Sequence, residues 1–328
     1  TGAVLSTVGI LFWINISLLS KGAASSNKIP SVVILPFENK GDSKEDFYAY
    51  CISSDIISDI TGVGQLRVAS LSSVEKLQKE KLDNSEIAKK LTSRYVVSGS
   101  IWKIDSIFQL SMELFDTGDE KLLASQRWEM NWKDLPILKK NLSKKIIEGL
   151  NIQIINELDI NNSIDPIAYE LYLKGKHTFE KRQKVEDIEI ARDFFLKALE
   201  LDSNFIEARY VFGNTYHDSE KDIAMKHYEL ALKKANEFDD KKAKMDIKRS
   251  MGHIYAEQME VDRTLSLYRQ SLKISKEIGN KSSMADVMNN IGAHFWERGI
   301  SDSARYYFDS AYDIIKELGD KVKLLRNR

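Results

Sequence analysis

Three patterns of apolar and polar positions follow one another along the chain. From Thr1 to Ser20 there is no charged residue, and the run from Ala3 through Val8-Gly9-Ile10-Leu11-Phe12-Trp13-Ile14 to Leu18-Leu19 is mostly apolar. A helix of that length rises about 30 Å, the thickness of a bilayer core. Residues 1–27 are therefore expected to form a transmembrane helix and a short linker of small residues. Two other readings compete. Ser6, Thr7, Asn15 and Ser17 interrupt the run, as they could in a buried core helix, and Ala23-Ala24-Ser25 resembles a signal-peptide cleavage site. Lys21 and Lys28 follow the run, so charge bias does not orient it. The chain starts at Thr1 rather than Met, as expected of a processed protein or a piece of a longer one.

Over residues 28–153 the pattern is that of an α/β domain. Ser31-Val32-Val33-Ile34-Leu35 is a continuous apolar run closed by Pro36, as in a strand buried on both faces. Tyr48, Ile52, Ile56 and Ile60 then recur every four residues, a helical stripe that Gly62 and Gly64 end. Leu66–Ala69 reads as a second strand, Ser73–Lys79 and Ser85–Leu91 as short helices, and Tyr95-Val96-Val97 as the start of a third strand. Next the period becomes two: Phe108, Leu110, Met112 and Leu114 alternate with polar residues. After the turn Asp116-Thr117-Gly118-Asp119 the chain returns with Ala124, Trp128, Met130 and Trp132 on one face. Asp134 is placed to cap a last helix with Pro136 in its first turn and Leu138, Leu142, Ile146 and Leu150 as its stripe. Three of these segments resemble a known family. Val33-Ile34-Leu35-Pro36-Phe37-Glu38-Asn39, Tyr95-Val96-Val97-Ser98-Gly99-Ser100-Ile101 and Leu114-Phe115-Asp116-Thr117-Gly118-Asp119 are similar to motifs of the TolB amino-terminal-like domain. The resemblance implies a mixed sheet.

Beyond a linker at 154–166, all four prolines have passed and helical periodicity takes over. Gly175, Gly213, Gly252 and Gly292 recur at spacings of 38, 39 and 40. Each precedes an aromatic–small pair: Phe195 with Ala198, Tyr228 with Ala231, Tyr268 with Ser271, Phe308 with Ala311. Four positions before each aromatic sit Ala191, Ala224, Thr264 and Ala304, and Tyr216, Tyr255 and Phe295 follow three of the glycines. The pattern resembles the tetratricopeptide repeat, four copies over 167–328, with a possible truncated fifth at Gly319-Asp320-Lys321. The family fold implies stacked helix pairs forming an all-α superhelix. The segment around Arg182–Glu186 is longer than the family spacing.

Candidate chemistry narrows the reading. Lys plus Arg number 48 against 49 Asp plus Glu, a balance unlike that of a nucleic-acid reader. One cysteine, Cys51, excludes an intrachain disulfide, and its place beside Ile52 on the helical stripe makes it a core residue. His177, His217, His227, His253 and His294 lack metal-ligand spacing, and no Gly-rich phosphate loop or nucleophile elbow is present. No catalytic, cofactor or metal residue is therefore assigned, and no enzymatic activity is expected within these residues.

The tetratricopeptide resemblance implies a concave groove lined by the first helix of each pair, taking a protein or peptide partner. Tyr210, Asn214 and His217, then Arg249, His253 and Glu257, then Asn289, Trp296 and Glu297 fall on that side. The Lys and Asn set by which the family clamps chaperone carboxyl termini is not found. The order of anchor, α/β domain and repeats resembles the carboxyl-terminal part of bacterial adenylate/guanylate cyclase domain-containing proteins. It implies a single-pass inner-membrane sensor or scaffold held through residues 1–20, with the chain after about residue 21 periplasmic. The outer half of a membrane-anchored winged-helix transcription regulator and a free-standing periplasmic scaffold are the alternatives.

Overall fold

The computed structural model describes residues 29–152 and 164–318, without the side chains of residues 139 and 140. The expected transmembrane helix, most of the linker and the possible fifth repeat lie outside the described residues. Among those described, no helix is long and apolar enough to cross a membrane.

The first half is built on a six-stranded mixed sheet. β1 (Ser31–Ile34), β3 (Arg67–Val68) and β4 (Tyr95–Ile104) run parallel, with β1 in the middle. β5 (Ile107–Asp116) and β6 (Lys121–Asn131) continue from β4 as an antiparallel meander, giving the order β3-β1-β4-β5-β6. The run after Pro36 contributes a short strand, β2 (Glu38–Asn39), which pairs with Ser100 and Ile101 of β4.

Helices cover both faces of the parallel part. α1 (Asp46–Gly62) and α4 (Leu135–Gly149) lie on one side, where Tyr48, Ile52, Ile56, Leu138, Leu142 and Ile146 pack on Val32, Ile34, Phe108 and Leu110. α2 (Leu71–Gln78) and α3 (Asn84–Lys90) lie on the other, where Val74 and Ile87 meet Val33, Leu35 and Val96. The alternation along β1 is why that strand is apolar throughout. One cap differs from expectation. Asp134 precedes α4 but makes no side-chain capping bond. The chain enters through a short turn, Trp132–Asp134, and Asn131 caps that turn by accepting from the Lys133 amide. Trp132 is thereby drawn out of β6 into the turn.

The second half is a tetratricopeptide-like stack of antiparallel helix pairs. They are α5 (Pro166–Glu180) with α6 (Glu186–Leu201), α7 (Ile206–Asn214) with α8 (Lys221–Glu237), α9 (Lys241–Glu257) with α10 (Val261–Glu277), and α11 (Lys281–Trp296) with α12 (Ser301–Leu318). The repeated glycines make each pair possible. A Cβ on Gly175, Gly213, Gly252 or Gly292 would fall 2.9, 2.8, 2.6 or 2.8 Å from the ring of Phe195, Tyr228, Tyr268 or Phe308 respectively. The small residues one turn before those aromatics, Ala191, Ala224, Thr264 and Ala304, are fully buried.

The two halves share one core. Cys51 is buried on α1, and its thiol donates to the Leu173 carbonyl of α5 at 3.3 Å. Ala168, Tyr169, Tyr172 and Leu173 belong to the same apolar cluster as the α1 stripe. Further along, Lys242 at the start of α9 pairs with Asp59 at 3.1 Å. Past the end of α1, Gly64 has φ +72°, and a Cβ there would sit 1.6 Å from the Gly279 carbonyl oxygen just before α11. Only glycine meets both conditions. Helix α1 thus runs from the first helix pair toward the start of the fourth.

Candidate functional site: a polar cavity between two repeats

The first helices of successive pairs place the same repeat positions side by side. Counting back from the repeat glycine, Arg249 and Asn289 stand three positions before it, and Ser250 and Asn290 two. In the structure Arg249, Ser250 and His253 of α9 and Asp286, Asn289 and Asn290 of α11 line one open cavity of about 380 Å³. Three of the expected groove residues, Arg249, His253 and Asn289, meet there. Ser250, Asp286 and Asn290 complete the lining and went unnoticed in the sequence. Ser250 and Asn290 directly follow Arg249 and Asn289, and Asp286 lies one turn before Asn289; the side-by-side packing of α9 and α11 brings them together.

His253 is held by its neighbours. Nδ1 lies 3.2 Å from the Tyr268 hydroxyl and Nε2 lies 3.1 Å from the Asn290 amide nitrogen. With its proton on Nδ1, the imidazole donates to Tyr268 and accepts from Asn290. Burial, helped by the charges of Arg249 and His217, pushes its pKa down to about 4, so the ring is neutral near pH 7. Burial works against the Arg249 charge, but Asp246, Tyr210 and Asp286 more than offset it, and the guanidinium pKa is raised. Arg249 bonds Asp246 at 3.2 Å.

The remaining expected residues occupy three settings. Tyr210 is half-buried and shares a hydrogen bond with Ser250 at 2.9 Å, joining α7 to the rim of the cavity. Asn214 accepts from the Tyr228 hydroxyl at 2.6 Å, and His217 Nδ1 stands 3.1 Å from the same oxygen, so both brace the second pair. At the far ends of α9 and α11, Glu257 pairs with Lys221 at 2.8 Å, while Trp296, 65% exposed, and Glu297 face solvent.

The lining offers amide groups that donate and accept, one hydroxyl, one cation and one carboxylate. Side-chain amides have the same donor–acceptor pair as a peptide group, so this set suits a polar main chain better than an apolar small molecule. Among the described residues no group of three or more His, Cys, Asp or Glu side chains is placed to hold a metal ion.

Residues 27–149 match the family described as HilA/YgeH-like transcriptional regulator, second domain. A Rhizobium meliloti (strain 1021) protein provisionally named adenylate cyclase 3 is 23% identical over 184 residues, covering 55% of this chain and 31% of that protein. The chain thus spans about a third of the length of the curated relative it matches. Among solved structures, a Rap protein complexed with competence and sporulation factor is similar at 16% identity, covering 61% of this chain and 59% of that one with a TM-score of 0.44. TolB from Acinetobacter baumannii is similar at 16% identity, covering 38% of this chain and 28% of that one with a TM-score of 0.29.

Proposed function

We propose that the chain is a non-catalytic, partner-binding module of a longer signalling protein. It would take a protein or peptide segment along the first helices of its repeats. The observation that carries this reading is the polar cavity between α9 and α11, where Arg249, Asn289 and Asn290 present donors and acceptors to an extended main chain. Trp296 stands exposed at the end of α11, and tryptophan is a frequent anchor in protein interfaces. Helix α1 packs on α5 and meets Lys242 of α9 through Asp59, which joins the repeats to the α/β half.

In this reading residues 1–20 anchor the module in a membrane, and the chain after about residue 21 lies outside the cytoplasm. The cyclase relative supports attachment to a nucleotide cyclase. The family match over residues 27–149 favours a second reading, attachment to a transcription regulator, with the same sensing role for the part described.

The test is capture of a partner from the native host by the full chain and by the Arg249→Ala, Trp296→Ala double variant. Loss of one partner with an unchanged thermal midpoint supports the groove. Retained capture overturns it, and a collapsed midpoint would mean that Arg249 braces the fold, since Trp296 is exposed. An enzymatic reporter fused after Arg328 tests topology: activity of a cytoplasmic reporter alone contradicts the extracytoplasmic placement.

A further inference from the structure

The sheet ends in an open edge. β6 is an 11-residue strand paired on one side only, with β5. Among the described residues no backbone hydrogen bond reaches its other side. The register irregularity against β5 lies at Leu114/Phe115, so the stretch from Ala124 to Asn131 is regular, and it contains no proline. A long regular edge of this kind is a template for a further strand.

The phase of the ladder fixes which backbone groups face outward. Ile107 stands opposite Asn131, and on the next rung the Trp132 amide donates to the Ser106 carbonyl at 2.9 Å. Antiparallel rungs alternate between those that exchange hydrogen bonds and those that do not. Gln126, Trp128 and Met130 therefore turn their N–H and C=O groups toward β5. Ser125, Arg127, Glu129 and Asn131 turn theirs toward the open edge, with exposed side chains.

We propose that this edge takes a second copy of the same chain, antiparallel, about a two-fold axis at Trp128. An isologous contact pairs each residue with its mirror position. About Trp128 the rungs set Arg127 opposite the second copy's Glu129, and Ser125 opposite its Asn131, each twice. These are the residues whose backbone groups face outward, so the rungs are the hydrogen-bonding kind. Opposed side chains share a face. Arg127 has no ion pair among the described residues, and Glu129 accepts one bond, from Gln109 at 3.1 Å. Charge selects the register. An axis at Arg127 or Glu129 sets like charges face to face, and within 124–131 only the axis at Trp128 sets a cation against an anion. This contact is independent of the groove.

Sedimentation velocity on the full chain, in detergent-containing buffer, tests it. A concentration-dependent dimer is expected. Arg127→Glu and Glu129→Arg should each weaken it about tenfold or more by opposing like charges, with an unchanged thermal midpoint at concentrations where the parent is monomeric. The double exchange should restore it. Trp128→Cys should oxidise to a linked dimer, because position 128 faces itself, whereas Gln126→Cys should not; the one native thiol, Cys51, is buried. A monomer at every concentration, a dimer indifferent to single reversals, or equal linking through position 126 overturns the proposal.

Discussion

Lys176 of α5 and Asp55 of α1 form an ion pair across the junction of the two halves, with side chains only 9% and 5% exposed. Tyr169 donates a second bond to the same carboxylate at 3.3 Å. Burial opposes the Lys176 charge, but Asp55, with Glu180 behind it, more than offsets this and raises the ammonium pKa. Removing one partner of a buried pair leaves a desolvated charge. Lys176→Met should therefore cost roughly 3–5 kcal/mol, and Lys176→Met with Asp55→Leu should recover much of that loss. Chemical denaturation checks both. Calorimetry of the parent should show the α/β half and the first helix pair unfolding together, because they share one core.

The repeat glycines predict a contrast between two single methyl additions. At Gly252 a Cβ lies 2.6 Å from Tyr268, and at Gly62 nothing stands within 4 Å. Gly252→Ala should cost about 1–3 kcal/mol by overpacking. Gly62→Ala should fall within about 1 kcal/mol of the parent on the stabilising side. Equal effects in equilibrium unfolding would contradict the close-approach role of the repeat glycines.

Histidine titration predicts the acid side of the stability curve. Burial, then Arg249, holds His253 at about 4. Burial, then Arg209 and Lys226, does the same for His227. Both values lie below the unfolded value of about 6.5, so between these limits the unfolded chain binds more protons than the folded one. Stability should be full above that window and fall as pH drops from about 7 toward 5. His253→Asn and His227→Asn should flatten the slope of melting temperature against pH over that range. An unchanged slope would show that both rings titrate normally.

Much of this architecture was legible in the residues. The period-two run at Phe108–Leu114 and the apolar run at Val32–Leu35 mark strands, because one and two buried faces leave distinct patterns. The glycine–aromatic spacing marks the repeats, because each close approach needs both residues. β2 was hidden because two residues carry no period. Asp134 has the chemistry of a cap, yet Asn131 sits where the chain turns in and does the capping. The junction of the halves was hidden for a different reason. Apolar residues on α1 and α5 show that each helix is buried but not against what. At the site, Arg249 and Asn289 came from the repeat register, whereas Ser250 and Asn290 needed knowledge of how α9 and α11 sit side by side.

A polar peptide segment in the cavity between α9 and α11 is what the proposed function requires. The most direct test is selection of random peptides against the full chain, followed by affinity measurements on Arg249→Ala and Asn289→Ala. Selected peptides should compete for one site and lose about tenfold or more in affinity on each variant, with both variants still folded at the assay temperature. Peptides that bind parent and variants equally, or a selection that yields none, would contradict it.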